Sequence, residues 1–339
     1  MNNPLISVII VNYNGYQWLE RCLDSLKRQS YKNYEIVFVD NASSDESISY
    51  VRENYPNVKI VKNKTNTGFA GGNNYGYKKS KGEFIVLLNN DTYVERDYLK
   101  NLLVAFKNNS KLAVAQSKIV LMNKNELDTC GGFWTATSFL YYYGNYKDPS
   151  LPIYNKPFKV FTVKAASVMI KREVIEKIGL FDEDFWNYYE EGDFCHRVWI
   201  AGYECWYWPK AVCSHAMGGT SLVHFDNSFV QYHNFKNKLM SFIKNFELFN
   251  LIFIVPIFVL SNVGISVVWL FKGQYRYSIQ LFRALFWNLR NLSKNIGKRS
   301  AIAKFKVKKD SEIFKVVRKN PGIRYYYYLL NKELSKYED

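Results

Sequence analysis

Residues 84–92 read Phe-Ile-Val-Leu-Leu-Asn-Asn-Asp-Thr, an unbroken apolar run that ends in short polar side chains. A run of this kind is the pattern of a strand covered on both faces, as in a parallel sheet, and ligands bind beyond the carboxyl ends of such strands. Asn89 and Asp91 are two apart, so both side chains face one side of the strand end. Oxygen ligands there suit a hard divalent cation that takes its other ligands from a nucleotide diphosphate. The plainer reading is an Asn/Asp turn.

Outward from this strand, the first 120 residues alternate short β-rich apolar runs with helical patterns, which predicts an α/β fold with a parallel sheet. Strands are expected at 6–11, 35–39, 58–61, 84–88 and 112–116. Trp18, Leu19, Cys22, Leu23 and Leu26 share one helical face, and Ser43 with Glu46 three residues on can form a capping box for the next helix. From 118 to 159 the aromatic, glycine-containing pattern has no clean period. A strand-like run returns at 160–170, then a short helix at 172–178, a helix at 191–201 and a strand at 205–208.

Four further clusters sit at the ends of these elements. Asp40 opens Asp-Asn-Ala-Ser-Ser-Asp after a strand, where a carboxylate can accept from a base or a ribose, or simply shape a turn. Residues 65–76 contain Gly68, Gly71, Gly72 and Gly76, which permit positive φ and close approach of backbone N–H groups to a diphosphate, or form a loop into a helix. Glu190, Glu191 and Asp193 place three carboxylates at a helix start, where the helix dipole favours them and where one can act as a general base. His215, placed just after the strand at 205–208, can complete a metal site begun by Asp91; Cys213 nearby has no partner pattern for zinc.

The chain has 339 residues, 48% of them hydrophobic, enough for a real core, and five scattered cysteines without a paired spacing, which fits a reducing compartment. From Leu248 onward there are 17 Lys and Arg against 5 Asp and Glu, so +12 of the +16 net charge lies in the last quarter and points to an anionic partner. No secretory signal is read at the first apolar run. Residues 248–271 carry no charge over 24 positions, long enough to cross a bilayer of about 30 Å. Pro256 and Gly264 interrupt the segment and both flanks are basic, which favours an in-plane or re-entrant anchor with the tail on anionic lipid.

Taken in order, SVIIVNYNG, VDNASSD, NTGFAGGNNYG, LLNNDT, the block from Ala165 to Pro209 and His215 resemble the inverting glycosyltransferases of family 2, within them the rhamnosyltransferase-like enzymes of bacterial surface polysaccharide assembly. The resemblance covers roughly residues 5–222. It implies the GT-A fold, a Rossmann-like mixed sheet flanked by helices, here followed by a membrane-associated helical region. The implied division is 1–117 for the nucleotide-sugar half, 118–222 for the acceptor half, a connecting helix at 223–247, the apolar segment at 248–271 and a basic amphipathic tail at 272–339.

The same resemblance implies that Asn12, Asn14, Asp40, Asn66, Gly68, Gly71, Gly72, Asn74 and Asn90 surround the nucleotide sugar. Asp91 corresponds to the last residue of the family's D-x-D motif, with Asn89 in place of its first Asp, and His215 to a further ligand for Mg²⁺ or Mn²⁺. Glu191 falls on the catalytic base, Glu190 and Asp193 orient the acceptor or the base, and Asp193 stays open as the base itself. Trp134, Trp186 and Tyr188, with Tyr142 and Tyr189, are candidates to stack on sugars. The implied reaction moves a sugar, rhamnose before galactofuranose, a hexose or an N-acetylhexosamine, from a dTDP- or UDP-linked donor to a lipid-linked glycan at the cytoplasmic face of the membrane. A homo-oligomer fits the same pattern. The competing class, a basic scaffold on membrane or nucleic acid, leaves the uncharged apolar segment unexplained in its nucleic-acid form, so no nucleic-acid partner is expected.

Overall fold

The computed structural model describes residues 3–216, 227–331 and 333–339. The strands are β1 (Ile6–Asn12), β2 (Tyr34–Asp40), β3 (Lys59–Lys62), β4 (Phe84–Leu88), β5 (Thr92–Val94), β6 (Leu112–Leu121), β7 (Leu127–Thr129), β8 (Gly132–Trp134), β9 (Leu140–Tyr142), β10 (Phe158–Lys159), β11 (Ser167–Lys171) and β12 (Glu204–His215). The helices are α1 (Tyr16–Lys27), α2 (Ser47–Asn54), α3 (Gly68–Lys79), α4 (Tyr98–Ala105), α5 (Arg172–Ile178), α6 (Glu190–Ile200), α7 (Asn227–Asn245), α8 (Leu248–Phe271), α9 (Tyr275–Arg290), α10 (Leu292–Ala303), α11 (Asp310–Val317) and α12 (Ile323–Leu330).

Among the described residues one mixed sheet of ten strands runs in the order β10-β12-β6-β11-β4-β1-β2-β3, with β5 beside β12 and β7 beside β6. The β3-β2-β1-β4 half is parallel, and β11 enters antiparallel between β4 and β6. Nearly every side chain of β1 and β4 is buried on either face, as an uninterrupted apolar run requires. Leu19, Cys22, Leu23 and Leu26 of α1 are buried against the sheet, while Trp18 lies at the edge of that face.

Several local expectations are corrected. The Ser43–Glu46 capping box does not form: α2 starts at Ser47, and the Ser43 hydroxyl instead accepts from the Asn14 N–H at 3.0 Å and from Asn12 Nδ2 at 3.2 Å. Of the strand expected at 160–170 only the last part forms, as β11, preceded by irregular chain after β10. The strand at 205–208 is twelve residues long and His215 is its last residue rather than a residue beyond it. Pro209 hid this continuity. It sits in a register shift between Trp208 and Val212, a bulge that tolerates a residue without an N–H.

The glycine-rich segment is corrected too. It is helix α3, and of its glycines only Gly68 has positive φ, at 70°. Gly72 and Gly76 instead let the helix lie close on the sheet: a Cβ on Gly76 would stand 2.4 Å from Ile9 Cγ2 and 2.9 Å from Val39 Cγ2. Overpacking costs about 1–3 kcal/mol, more than the roughly 1 kcal/mol of helix propensity a side chain gains over glycine. Gly76→Leu is therefore expected to lower the urea midpoint; an unchanged or higher midpoint would show that the helix has room to spare.

After Asn227 the chain is helical. α8 runs unbroken through Pro256 and Gly264, where interruptions were expected, and only 22% of its most apolar window is buried. Leu248, Phe249, Ile252, Leu260 and Phe271 are exposed. The residues after α8 pack back on the rest of the fold. The Asp310 carboxylate accepts from Glu247 N–H at 2.7 Å and Asn250 Nδ2 at 2.6 Å, at the start of α8. Lys308 N–H donates to the Ile200 carbonyl and Lys319 N–H to the Trp134 carbonyl. The expected boundary at 222/223 lies outside the described residues.

Candidate active site

Pairing of β12 with β5 sets His215 opposite Thr92, and so beside the end of β4. His215 Nε2 lies 3.3 Å from Asp91 Oδ1 and 3.4 Å from Asn89 Nδ2, while Nδ1 meets Asp128 Oδ2 at 3.0 Å. Burial pulls the imidazole pKa down, but the hydrogen bonds and charges of Asp128 and Asp91 outweigh it and hold the pKa up at about 9. Asp128 orients the ring so that Nε2 is the nitrogen shared with Asp91.

This donor set fits a small divalent cation. Bonds of about 2.1 Å to two adjacent octahedral positions put their donor atoms about 3 Å apart, close to the Asp91–His215 separation. Among the described residues no three His, Cys, Asp or Glu side chains converge on one position, so the remaining ligands would come from a bound diphosphate and water. Asn90 points elsewhere, donating from Nδ2 to Asn12 Oδ1 at 2.7 Å.

Of the residues expected around a nucleotide, Asn12 and Asp40 are register partners at the ends of β1 and β2. Asn14 has positive φ, 49°, and its Oδ1 accepts from Ser44 N–H at 2.8 Å. Several of the remaining residues are committed to the framework. Asn41, buried, donates to Asn66 Oδ1 and the Gly68 carbonyl and accepts from Thr67 N–H. Asn66 accepts from Gly68 N–H at 2.9 Å, Gly71 packs on Thr67, and Gly72 on Val11. Asn74 holds the backbone of Phe181 through both ends of its amide, which places it in a structural bridge rather than on a ligand.

The third expected cluster centres on the turn entering α6. Trp186, Tyr188 and Tyr189 all have positive φ, between 62° and 70°, a run of strain that only strong outside contacts sustain. Asn237 of α7, fully buried, supplies them: its Nδ2 donates to the carbonyls of Phe185, Asn187 and Tyr188 at 3.0, 2.8 and 2.6 Å. Ala70 N–H holds the Trp186 carbonyl at 3.1 Å from the other side. Gly68 is required there, because a Cβ would lie 2.2 Å from that same carbonyl oxygen.

This turn delivers Glu190 and Glu191, whose buried Oε2 atoms have no hydrogen-bond partner among the described residues. Burial raises both pKa values, and the charge of Glu191 raises that of Glu190 further. Lys164 joins this pair to the His215 cluster. Its ammonium is held charged by Asp128 first, and also by Glu191, Tyr146 and Glu190. Residues distant in sequence thus share one electrostatic neighbourhood.

Two expected residues fall away from it. Asp193 is fully buried and saturated: Arg197 Nε at 2.9 Å, Lys244 Nζ at 3.1 Å and Asn245 Nδ2 at 2.9 Å surround it, and these charges outweigh burial to keep its pKa low. A carboxylate so neutralised is a poor base, which removes it from the contest with Glu191. Trp134 is 3% exposed and packs on Phe161, Phe242, Phe246 and Phe314, so it is core rather than a sugar platform. Trp186 and Tyr188 remain partly exposed in the strained turn. Sequence reasoning missed Asp128, Lys164 and Asn237. Asp128 lies in the aperiodic stretch, Lys164 inside a supposed strand, and only an Asn in the middle of an apolar helical face hinted at Asn237.

The glycosyl transferase family 2 sequence model matches residues 7–179. An uncharacterized glycosyltransferase of Haemophilus influenzae is 35% identical over 106 residues, 30% of this chain and 42% of that protein. The chain spans between 30 and 42% of the length of three curated relatives it matches. Among solved structures, Staphylococcus aureus TarS residues 1–349 in complex with UDP-GlcNAc superposes with a TM-score of 0.59 at 17% identity, over 83% of this chain and 79% of that one. The mannosyltransferase PcManGT from Pyrobaculum calidifontis, in complex with GDP-Man and Mn²⁺, gives 0.53 at 16% identity, over 85% and 88%. These likenesses carry the fold, a mixed Rossmann-like GT-A sheet with helices and a C-terminal helical region. The family's sequence pattern spans half of the chain: the chain belongs to glycosyltransferase family 2.

Proposed function

We propose that the protein is an inverting, metal-dependent glycosyltransferase that moves a sugar from a nucleoside diphosphate to a lipid-linked glycan in cell-surface polysaccharide synthesis. The observation that carries this reading is the pair of buried, unpartnered Glu190 and Glu191 oxygens sharing Lys164 with the Asp128–His215–Asp91 cluster. Glu191 takes the proton of the acceptor hydroxyl as its oxygen bonds to the anomeric carbon, and the bond from that carbon to the diphosphate oxygen breaks on the opposite face. Configuration inverts. A raised carboxyl pKa makes Glu191 a stronger base, and the charge of Lys164 opposes that rise. Asn89, Asp91 and His215 would hold Mg²⁺ or Mn²⁺, which supplies electrostatic stabilisation of the departing diphosphate.

Asn12, Asn14 and Asp40 are assigned to the nucleoside, and Trp186 and Tyr188 to the acceptor. Rhamnose is the first sugar on the strength of the resemblance. The test is incubation with dTDP-rhamnose, UDP-galactofuranose, UDP-glucose and UDP-N-acetylglucosamine, following nucleoside diphosphate release with and without EDTA. Release with one donor, lost on chelation and restored by Mn²⁺, supports the reading; no release with any of them, or release indifferent to EDTA, overturns it.

The protein is placed on the cytoplasmic face of the membrane, in-plane rather than spanning. What supports this is the exposed apolar face of α8, together with the tie of Asp310 to its start and the packing of Trp269, near its end, on Phe235 of α7. Vesicles containing anionic lipid should co-sediment the protein, about 1 kcal/mol per basic contact more strongly than neutral ones. Protection of residues after 272 from protease in sealed vesicles with their cytoplasmic face outward would contradict the in-plane arrangement.

A further inference from the structure

The carbonyls of residues 184–188, on the way into α6, are held one after another from outside the turn. Lys236 Nζ donates to the Asp184 carbonyl at 2.6 Å, and His233 Nδ1 lies 3.3 Å from the Phe185 carbonyl. Ala70 N–H takes that of Trp186, and Asn237 Nδ2 takes those of Asn187 and Tyr188 besides a second bond to Phe185. His233, Lys236 and Asn237 stand at i, i+3 and i+4 of α7, so one face of one helix makes all but one of these contacts. The same helix grips the chain beyond the carboxylate pair, where Lys244 Nζ and Asn245 Nδ2 meet Asp193 Oδ1. Glu190 and Glu191 are thereby bracketed by a single rigid element.

Of these groups Asn237 acts nearest the pair. Tyr188 and Tyr189 have φ of 70° and 68°, which a side chain other than glycine's adopts at a cost, and Asn237 bonds the carbonyl between them at 2.6 Å. The amide is kept there for its N–H groups: Asn237 is fully buried and its Oδ1 has no partner among the described residues, a cost that an apolar side chain would not carry. Glu190 and Glu191 each have a buried carboxylate oxygen with no bond among the described residues, so the placing of those oxygens falls to the backbone that carries them. A reacting group displaced by about 1 Å can lose on the order of 10²-fold in rate. We infer that Asn237 is a positioning residue for the transfer reaction, fixing through the strained turn where the Glu191 carboxylate meets the acceptor hydroxyl. It reaches the reaction only through the backbone of residues 185–188.

This inference rests on the reading of Glu191 as the base, and the experiment separates the two. Asn237→Ala and Asn237→Gln are made in the full chain, each alone and together with Tyr188→Gly, beside wild type, Tyr188→Gly and Glu191→Gln. The measurements are kcat for nucleoside diphosphate release from dTDP-rhamnose, UDP-galactofuranose, UDP-glucose and UDP-N-acetylglucosamine, the Kd for UDP with Mn²⁺, and the folded fraction from the thermal transition. Expected for Asn237→Ala is a fall of about 10²-fold in kcat per folded molecule, with the UDP Kd within about twofold of wild type. Glycine at 188 adopts positive φ freely, so against Tyr188→Gly the same alanine substitution should cost no more than about a tenth as much. Asn237→Gln keeps the amide on a longer arm and should fall between; it carries the comparison where the alanine variant does not fold. A merely structural amide would lower the melting temperature and leave kcat per folded molecule at the wild-type value, which overturns the inference. A loss of equal size in both backgrounds, or one shared by the UDP Kd, overturns it too. Near-normal kcat in Glu191→Gln defeats the base assignment whatever Asn237 does, and no release by wild type removes the reaction that Asn237 is inferred to serve, and the inference with it.

Discussion

Glu191→Gln is expected to lower kcat by about 10² to 10⁴, the range for loss of a general base, with donor affinity close to wild type. The substitution keeps the shape of the side chain and removes only the ability to take a proton. Glutamine fills the same pocket at the start of α6, where the Glu191 carboxylate has an oxygen without a partner. The pH profile carries a second signature. The base must be ionised to act, and burial holds the Glu191 pKa above the ordinary glutamate value, so activity should fall as pH drops through that raised value. Lys164 opposes the shift, so Lys164→Met should move the acidic limb further up while leaving the fold intact. The measurement is kcat against pH for the three proteins, with nucleoside diphosphate affinity measured separately. A Glu191→Gln enzyme with near-normal kcat would end this assignment; Glu190→Gln is the first place to look next.

Asp193→Ala should behave in the opposite way, as a stability variant. Removing this fully buried carboxylate leaves Arg197 and Lys244 facing each other without their shared counter-ion, and breaking a buried pair from one side costs about 3–5 kcal/mol. Arg197 keeps its bonds to the carbonyls of Ile178, Gly179 and Leu180, which softens the loss. Urea unfolding of the two proteins gives the difference. The pH dependence has a definite sign. The folded pKa of Asp193 is depressed, so its contribution is present above the unfolded value near 4 and disappears as pH falls through the folded value. Wild-type stability should therefore drop more steeply in acid than that of the variant. An Asp193→Ala protein of unchanged stability but lost turnover would restore Asp193 as a catalytic group.

These two neighbours show where reading a sequence stops. Both stand in one acidic triplet at a helix start, and spacing alone treats them alike. Their fates differ because α7, contributed from about fifty residues downstream, brings Lys244 and Asn245 to one and nothing to the other. Trp134 was misjudged for a related reason: an aromatic in an aperiodic stretch looks available until Phe242, Phe246 and Phe314 close over it. The strand ending in His215 was cut short at Pro209 because a bulge is a property of a pair of strands, invisible in one of them.

The amino-acid sequence by itself determined the alternation of strands and helices in the first 120 residues, the polar strand ends at Asp40 and Asp91, the helix start at Glu190 and the uncharged run of 24 residues. Each is a local pattern of apolar spacing and side-chain chemistry, which acts before any distant contact forms. Only the tertiary structure decided which carboxylates are neutralised and which are left bare, that the glycines of α3 serve close packing, and that Asn237 holds the strained turn. Those are matters of burial and charge compensation. They depend on what lies opposite a residue in space, and residues far away in the sequence supply it.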